Sequence, residues 1–336
     1  MAVLFVGTSS SDFEITGVPV STTTAAQKAA NVAEGFNFNN QSLHQFAHAK
    51  FAATADIWAS QYIYNTASPS NLNQIFWEWG NSVAPGVNQP LFRLTANGAS
   101  GCTLDIWNGT TWVVGSTAAA NVTTFNTLRR IDVHIKMHDT TGVFLIYVDG
   151  TLAATHTATD TILTAATTLD WMRIRSPGGS LGVTSYTSAI LVADEDTRPL
   201  TVAQVLPSAS GANSAWTGLF SAIDDTGIDD TDFISSDTLN AVSTYATPAL
   251  ASGLTGGTYT IVAVAISGRV SAKAGRDVAL TLYTNTATYP ATDGVDANLF
   301  LNPRQTIWHN NPATSTAWTP TEASGCQIGA KVINHA

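Results

Sequence analysis

The stretch that most constrains this chain runs from Leu128 to Leu152. It reads Leu-Arg-Arg-Ile-Asp-Val-His-Ile-Lys-Met-His, then Asp-Thr-Thr-Gly, then Val-Phe-Leu-Ile-Tyr-Val-Asp-Gly-Thr-Leu. In the first arm Ile131, Val133, Ile135 and Met137 alternate with Asp132, His134, Lys136 and His138. Successive strand side chains point to opposite faces, so this arm has one apolar and one polar face. Asp139 to Gly142 is a turn signal. The second arm, Val143 to Val148, is apolar on both faces, the pattern of a strand buried between two layers. Asp149-Gly150 suits a tight hairpin, whose two central residues both need positive φ. A third strand starts at Thr151. Three consecutive antiparallel strands predict a β-sandwich.

The rest of the chain fits that reading. The charged fraction is 11%, against about 25% in an average globular protein. The hydrophobic fraction is 44%, so the chain has the apolar content to fold. Thr, Ser, Ala and Asn replace the missing charge, and Thr and aromatics favour pleated surfaces. So few charges suit a surface that is covered within an assembly. The net charge is −10 and no Lys/Arg run occurs, which argues against a nucleic-acid groove. The apolar start, Met-Ala-Val-Leu-Phe-Val-Gly, is short and lacks a basic region, so it does not read as a signal peptide. No apolar run reaches the roughly 18 residues of a membrane span.

Taken in order, residues 2–6 read as a short strand and Phe13 to Ile15 as a second. Thr22 to Ala30 is Ala-rich and predicts a short helix capped by Thr22–Thr24. Strand-like runs follow at 46–52, 61–65, 75–80, 91–94 and 104–107. Asn108-Gly109 is a second hairpin signal before Thr111-Trp-Val-Val. Strands at 168–175 and from Thr184 to Ala193 complete the set, and short strands at regular spacing predict a large antiparallel sandwich or jelly roll. Asp194-Glu-Asp-Thr-Arg-Pro-Leu reads as the exit from that domain. Thr201 to Leu206 reads as a short strand, and the Ser/Ala/Gly/Asn run 208–214 as a loop or linker. In the second part, strands are expected at 233–235, 242–246, 258–267, 278–283, 305–309 and 326–333. The run 258–267 is apolar on both faces and predicts burial on both. Thr319-Pro320-Thr321-Glu322 predicts a helical turn with Pro at its first position. The expected architecture is all-β, with two antiparallel β-sandwich domains: a jelly roll over 1–200 and a smaller sandwich over 201–336.

Three segments carry a resemblance: Arg130-Ile-Asp-Val-His-Ile-Lys, Phe144-Leu-Ile-Tyr-Val-Asp-Gly-Thr-Leu, and Tyr186-Thr-Ser-Ala-Ile-Leu-Val-Ala-Asp. The span 130–197 resembles concanavalin-A-like (laminin-G-like) jelly rolls. Further along stand Asn213-Ser-Ala-Trp-Thr-Gly, Asp232-Phe-Ile-Ser-Ser, Ile307-Trp-His-Asn-Asn-Pro-Ala-Thr, Ala317-Trp-Thr-Pro-Thr-Glu and Ile328-Gly-Ala-Lys-Val. With these, residues 125–333 resemble structural proteins of tailed bacteriophages. The resemblance implies a virion protein of tail, neck or collar, fibre or head-decoration type. It also implies a homotrimer docked on other virion proteins, and it supplies no catalytic residues.

Glycoside hydrolysis needs two carboxylates about 5–5.5 Å apart for retention, most simply on one strand face. No strand repeats an acid at i and i+2; Glu14 and Glu78 are isolated, and Asp194, Glu195 and Asp196 sit at the domain exit. The chain is therefore expected to be non-enzymatic, with no cofactor. Asp224, Asp225, Asp229, Asp230 and Asp232 offer oxygen ligands, with Asp225, Asp229 and Asp232 the weak candidates for a metal. Their order lacks the terminal Glu of a twelve-residue calcium loop, so no metal is expected. His134, His138 and His156 lack an identifiable further ligand. Aromatic rings stack on sugars, so Trp77, Trp79 and Trp107 are candidate carbohydrate-binding residues, against a core role. Trp77 and Trp79 share a face flanking Glu78. Cys102 and Cys326 are expected to be buried thiols, with an intersubunit disulfide as the sharper alternative. The leading expectation is a self-associating virion structural protein. The alternative is a carbohydrate-binding receptor module at a fibre or baseplate tip, whose partner is a host-surface glycan.

Overall fold

The computed structural model describes residues 1–16, 19–38, 46–66, 74–82, 89–97, 101–118, 124, 126–175, 185–250, 259–272, 275–291 and 302–334. It divides into two compact units, Met1–Ala203 and Gln204–Ala336, so the boundary falls three residues past the expected one. Nearly every element is an antiparallel strand.

The first unit is two facing sheets. Its strands are β1 (Val3–Gly7), β2 (Glu14–Thr16), β3 (Pro19–Thr22), β4 (Gly35–Phe38), β5 (Phe46–Thr54), β6 (Asp56–Asn65), β7 (Gln74–Gly80) and β8 (Pro90–Asn97). After them come β9 (Gly101–Trp107), β10 (Trp112–Ala118), β11 (Leu128–Lys136), β12 (Gly142–Val148), β13 (Thr151–Thr159), β14 (Leu169–Arg175) and β15 (Ser185–Ala193). Sheet A runs β13-β12-β11-β6-β15-β4-β3, with β1 also on β15; sheet B runs β10-β9-β8-β7-β14-β5-β2. Neighbours such as β11-β6 and β7-β14 are far apart in sequence, which is the crossed connectivity of a jelly roll. Alternation along each strand sends one set of side chains inward. Ile131, Val133 and Ile135 of β11, Ile57 and Ala59 of β6, and Phe144 and Ile146 of β12 meet Trp77, Trp79, Phe92, Leu94, Leu104 and Ile106 of sheet B.

The hairpin β11-β12-β13 lies at one edge of sheet A, as its sequence predicts. Asp149 and Gly150 take φ of 48° and 79°, the left-handed pair that a two-residue turn requires. The Asp149 carboxylate accepts from Arg130 N at 2.9 Å and Arg129 Nη1 at 2.6 Å, tying the turn to β11. One expectation fails here: from Val143 to Val148 only Phe144 and Ile146 are buried, while Val143, Leu145, Tyr147 and Val148 are half-buried. The outer side of the strand is therefore only partly covered. The Asn108-Gly109 hairpin forms, but through four residues: Asn108 Oδ1 accepts from Thr110 N and Thr111 N, and only Gly109 has positive φ.

The second unit is a smaller sandwich. Strands β16 (Ala209–Ser214), β17 (Val242–Ala246), β19 (Arg276–Thr284), β20 (Ala287–Pro290) and β24 (Gln327–Asn334) form a sheet in the order β16-β17-β24-β19-β20. Strands β18 (Val264–Val270) and β21 (Asn302–Trp308) form a ribbon, and β22 (Asn310–Asn311) with β23 (Thr316–Ala317) a second, shorter one. Ile266 of β18 packs with Leu280 and Leu282 of β19, Trp318 and Cys326. The helix α1 (Pro320–Gly325) starts as predicted: Thr319 Oγ1 accepts from Glu322 N, and the Glu322 carboxylate accepts from Thr319 N.

Local expectations failed where small polar residues blur the signal. The expected helix over 22–30 is one 3-10 turn, Ala25–Gln27, with no side-chain cap. The expected strand 201–206 is irregular, and the expected linker 208–214 is strand β16, an edge that small residues can occupy against β17. The run 258–267 starts pairing as a strand only at Val264, and Tyr259 is exposed. The expected strand 233–235 is a single bridge, Thr217–Ser235. Thr184 and Thr258, expected as first residues of two strands, lie outside the described residues.

Candidate functional site

The outer face of sheet B, turned away from the core, carries a row of charges crossing six strands. Register places Asp105 of β9 opposite Arg93 of β8, Arg93 opposite Glu78 of β7, and Glu78 opposite Arg173 of β14. Arg173 stands opposite His48 of β5, and His48 opposite Glu14 of β2. Each of these residues alternates with core residues on its own strand. Glu78 sits between Trp77 and Trp79, both inward; Arg93 between Phe92 and Leu94; Asp105 between Leu104 and Ile106; Arg173 between Met172 and Ile174. Alternation therefore forces all of them onto the other face. Opposite charges directly across strands attract, so the row also helps set the register.

Five of the six side chains in the row are largely withdrawn from solvent. Glu78, Asp105, His48 and Arg173 are buried, Arg93 is half-buried, and only Glu14 is exposed. Arg93 Nε donates to Asp105 Oδ2 at 2.7 Å, and Thr95 Oγ1 donates to the same oxygen at 3.1 Å. Arg175, two residues along β14, donates from Nε to Glu78 Oε2 at 2.6 Å. At the edge, His48 Nδ1 lies 3.3 Å from Glu14 Oε2, and Lys50 Nζ 3.5 Å from Glu14 Oε1. The hydrogen bond from His48, aided by Lys50, holds the Glu14 carboxyl below the usual carboxylate range. Burial lowers Arg173 from the usual guanidinium range; Glu78 opposes this and Arg175 adds to it.

Aromatic rings are interleaved with the charges. The Arg173 guanidinium lies over Trp171 at 4.4 Å and over Phe46 at 4.8 Å, and Arg175 lies over Phe46 at 5.7 Å. Trp171 is fully buried yet outside the core cluster. It crosses Gly80, its partner on β7, where a Cβ would meet Trp171 Cζ2 at 2.1 Å. Glycine at 80 is what lets the indole lie across the sheet. At the β9–β10 end, Arg93 sits over Trp112 at 4.1 Å, and Trp112 pairs with Trp107 at 5.4 Å between ring centroids. The buried polar atoms on this face without a hydrogen-bond partner among the described residues include His48 Nε2 and Trp171 Nε1. Their rings meet edge to face at 5.6 Å. Buried polar groups are nearly always satisfied, so each such atom asks for an account. In the tautomer that donates a hydrogen bond from Nδ1–H to Glu14, His48 Nε2 is an acceptor, while Trp171 Nε1 can only donate.

The residues picked out in the sequence are placed differently. Trp77 and Trp79 are wholly buried in the sandwich core, 4.6 Å apart, and Trp79 meets Phe144 edge to face. Neither has a ring face to offer a sugar. Trp107 is half-buried beside Trp112, next to the end of the row. Cys102 and Cys326 are both free and buried, each in the core of a different unit. Burial pushes the Cys102 thiol far up and the Cys326 thiol up to about 11. An intersubunit disulfide would need an exposed sulfur, so this geometry contradicts it. Asp225, Asp229 and Asp232 do converge, with ligand oxygens within 4.8 Å, but on an exposed loop. Asp229 accepts there from Thr231, and Asp230 binds Arg269 instead. His134 lies flat on Trp58 at 4.3 Å and contacts Asp56 at 2.7 Å. His138 lies past the end of β11, where its Nδ1 accepts from Thr140 N and Thr141 N. His156 is on β13 opposite Phe144. Among the described residues these histidines form no metal cluster.

Paired acids along one strand are absent from the sequence, and a row built across six strands leaves no such local pattern. The visible signal was the single charge between two large apolar residues, as in Trp-Glu-Trp and Phe-Arg-Leu.

The outer face of sheet A is occupied by the chain itself. Asp132 is fully buried there, held by Arg130 at 2.9 Å and by Thr197 Oγ1 at 3.1 Å. Arg130 also donates to the Leu200 and Thr197 carbonyls, fastening the exit segment onto the sheet. Arg198 covers Tyr147 at 4.2 Å and Trp58 at 5.1 Å.

No family model matches this sequence, and no curated protein matches it. Solved structures similar to it include an alginate lyase, Aly36B, in complex with an alginate tetrasaccharide: 14% identity over 48% of this chain and 81% of that chain, TM-score 0.35. The conserved carbohydrate esterase of Shiga toxin-encoding bacteriophage phi24B is 12% identical over 54% of this chain and 88% of that chain, TM-score 0.38. A botulinum neurotoxin type C structure, whose cell entry depends on two ganglioside molecules, is 9% identical over 83% of this chain and 67% of that chain, TM-score 0.40.

Proposed function

We propose that the chain is a carbohydrate-binding β-sandwich module, and that the outer face of sheet B is its ligand face. One observation carries this reading. A buried acceptor, His48 Nε2, and a buried donor, Trp171 Nε1, lie unpartnered beside each other on a face that is not the core. A sugar hydroxyl both donates and accepts, so a pair of ring hydroxyls satisfies both atoms. Trp107 and Trp112, half-buried beside Arg93 at one end of the row, offer ring contacts to a sugar, while the wholly buried Trp171 offers its N–H alone. Binding without catalysis is the proposed mode. Glu78 and Asp105 are each already engaged by an arginine, whereas glycoside hydrolysis uses a pair of carboxyl groups facing the scissile bond. A receptor-recognition role in a phage particle rests on the sequence resemblance alone.

The test is glycan binding by Trp171→Phe, which keeps the ring and removes the N–H. The loss expected on calorimetry is about tenfold in affinity, on the order of 1.4 kcal/mol for a buried donor. Unchanged affinity would place the ligand elsewhere.

A second reading, the self-associating virion component, draws on the edge strand β10, where Val113 and Val114 are 41% and 62% exposed. An apolar edge invites strand pairing with another copy. Light scattering of the purified chain is then expected to give a trimer, which Val114→Lys dissolves; a monomer at all concentrations would count against it.

A further inference from the structure

We infer that glycan binding on sheet B is gated by pH through His48: the site holds a sugar hydroxyl while the imidazole is neutral and releases it when the ring takes a second proton. The inference rests on the carbohydrate-binding reading and adds the regulation of the same site. It starts from how His48 is held. Register places it between Glu14 of β2 on one side and Arg173 of β14 on the other. Its Nδ1 lies 3.3 Å from Glu14 Oε2, and Lys50 Nζ lies 3.5 Å from the second oxygen of that carboxylate. The hydrogen bond from His48, aided by Lys50, holds the Glu14 carboxyl below the usual carboxylate range, so Glu14 is ionised wherever a histidine titrates. An ionised carboxylate only accepts, so the proton of the neutral ring belongs on Nδ1. The second proton then goes to Nε2, a buried atom with no partner among the described residues.

That one proton reverses the polarity of the site. With His48 neutral, an acceptor stands beside the Trp171 N–H, the two rings edge to face at 5.6 Å, and hydroxyls meet both atoms by donating to one and accepting from the other. With His48 charged, two donors face the ligand. A hydroxyl oxygen can accept from the new donor, but its own proton is left buried without an acceptor, and that unmade bond costs affinity. The charges around the ring pull in opposite directions. Glu14, hydrogen-bonded at Nδ1, favours the imidazolium. Arg173, across the strands, and Lys50, two residues along β5, disfavour it. Glu78 of β7 stands beyond Arg173, on its far side. Phe46, edge-on to His48 at 6.5 Å, carries no charge. Glu14 is in direct contact with the ring, so removing its charge moves the gate.

The experiment starts with an array of oligosaccharides probed with the full chain at about pH 8, where histidine is neutral. It carries cello-, malto-, xylo- and galacto-oligosaccharides beside oligogalacturonate and sialyllactose. The tightest-binding glycan is then titrated by calorimetry from about pH 8 to about pH 5, the range in which histidine changes charge. Circular dichroism at each pH confirms an intact fold. The expected result is an affinity that falls about tenfold as the pH drops. Glu14→Gln, at an exposed edge position, is expected to move that fall to lower pH, because the imidazolium loses its carboxylate. His48→Gln keeps a neutral acceptor near the position of Nε2 and is expected to flatten the profile. The same glycan is used throughout, so any titration of its own cancels between wild type and variants. Equal affinity at both ends of the range, or a fall that neither substitution moves, would overturn the gate and leave the carbohydrate-binding reading standing. No binding to any glycan on the array would overturn both.

Discussion

Trp79→Ala is expected to destabilise the first unit by about 3–5 kcal/mol, read from urea unfolding. Trp79 is fully buried, tilted against Trp77 and edge-on to Phe144, with Phe92 on the neighbouring strand. Truncation removes a large ring from the centre of a two-layer core, and the sheets cannot collapse around the void without shifting their register. Trp79→Phe is expected to cost far less. Among the described residues Trp79 Nε1 has no hydrogen-bond partner, so the smaller ring discards an unsatisfied donor along with some contact area. A surface tryptophan that stacks on sugars would behave oppositely: little change in stability and a large loss of binding. A drop below 1 kcal/mol for the alanine variant would contradict the core assignment.

Asp132→Ala is expected to cost a similar amount, about 3–5 kcal/mol, because it breaks a buried ion pair from one side. Asp132 is wholly buried, and Arg130 keeps only 14% of its side chain exposed. The alanine variant leaves that guanidinium with the Thr197 and Leu200 carbonyls and no opposing charge. It also frees Thr197 Oγ1, so the exit segment over sheet A is expected to become protease-sensitive. Asp132→Asn keeps an acceptor and is expected to lose less. The pH dependence separates the two effects. Burial pushes the Asp132 carboxyl above the usual carboxylate range, and Arg130 and Thr197 only partly oppose this. A folded-state value above the unfolded one means the native state holds the proton more tightly. This contribution to stability is therefore fully present below the unfolded carboxylate range and is lost as pH rises through the raised value. The wild type should lose that increment across the window and Asp132→Asn should not. Equal slopes in unfolding free energy against pH would contradict the assignment.

How much was legible beforehand depended on the range of the interaction. The hairpin from Leu128 to Leu152 was readable because its alternation and its Asp-Gly turn are local, and the structure keeps both. The all-β plan followed from turn spacing in the same way. Expectations failed where a residue's environment is set by a distant strand. Val143 and Leu145 read as doubly buried, yet nothing packs over that side of β12 strongly enough to bury them. The run 208–214 read as linker, but pairing with β17 makes it a strand despite its composition. Trp77 and Trp79 were rightly placed on one face with Glu78 on the other, and only the fold decides which face is the core. The charged row was illegible for the same reason. Its six members are spread from Glu14 to Arg173, and β-sheet register alone makes them neighbours.

The central claim is that a glycan sits on sheet B against Trp171. The indole N–H signals of the nine tryptophans, followed by NMR during titration with the tightest-binding array glycan, test it most directly. The account predicts that the Trp171 signal, assigned by its loss in Trp171→Phe, moves most as the new hydrogen bond forms, while Trp77 and Trp79 stay fixed in the core. A shift centred on Trp58, or on the tryptophans of the second unit, with Trp171 unmoved, would contradict it.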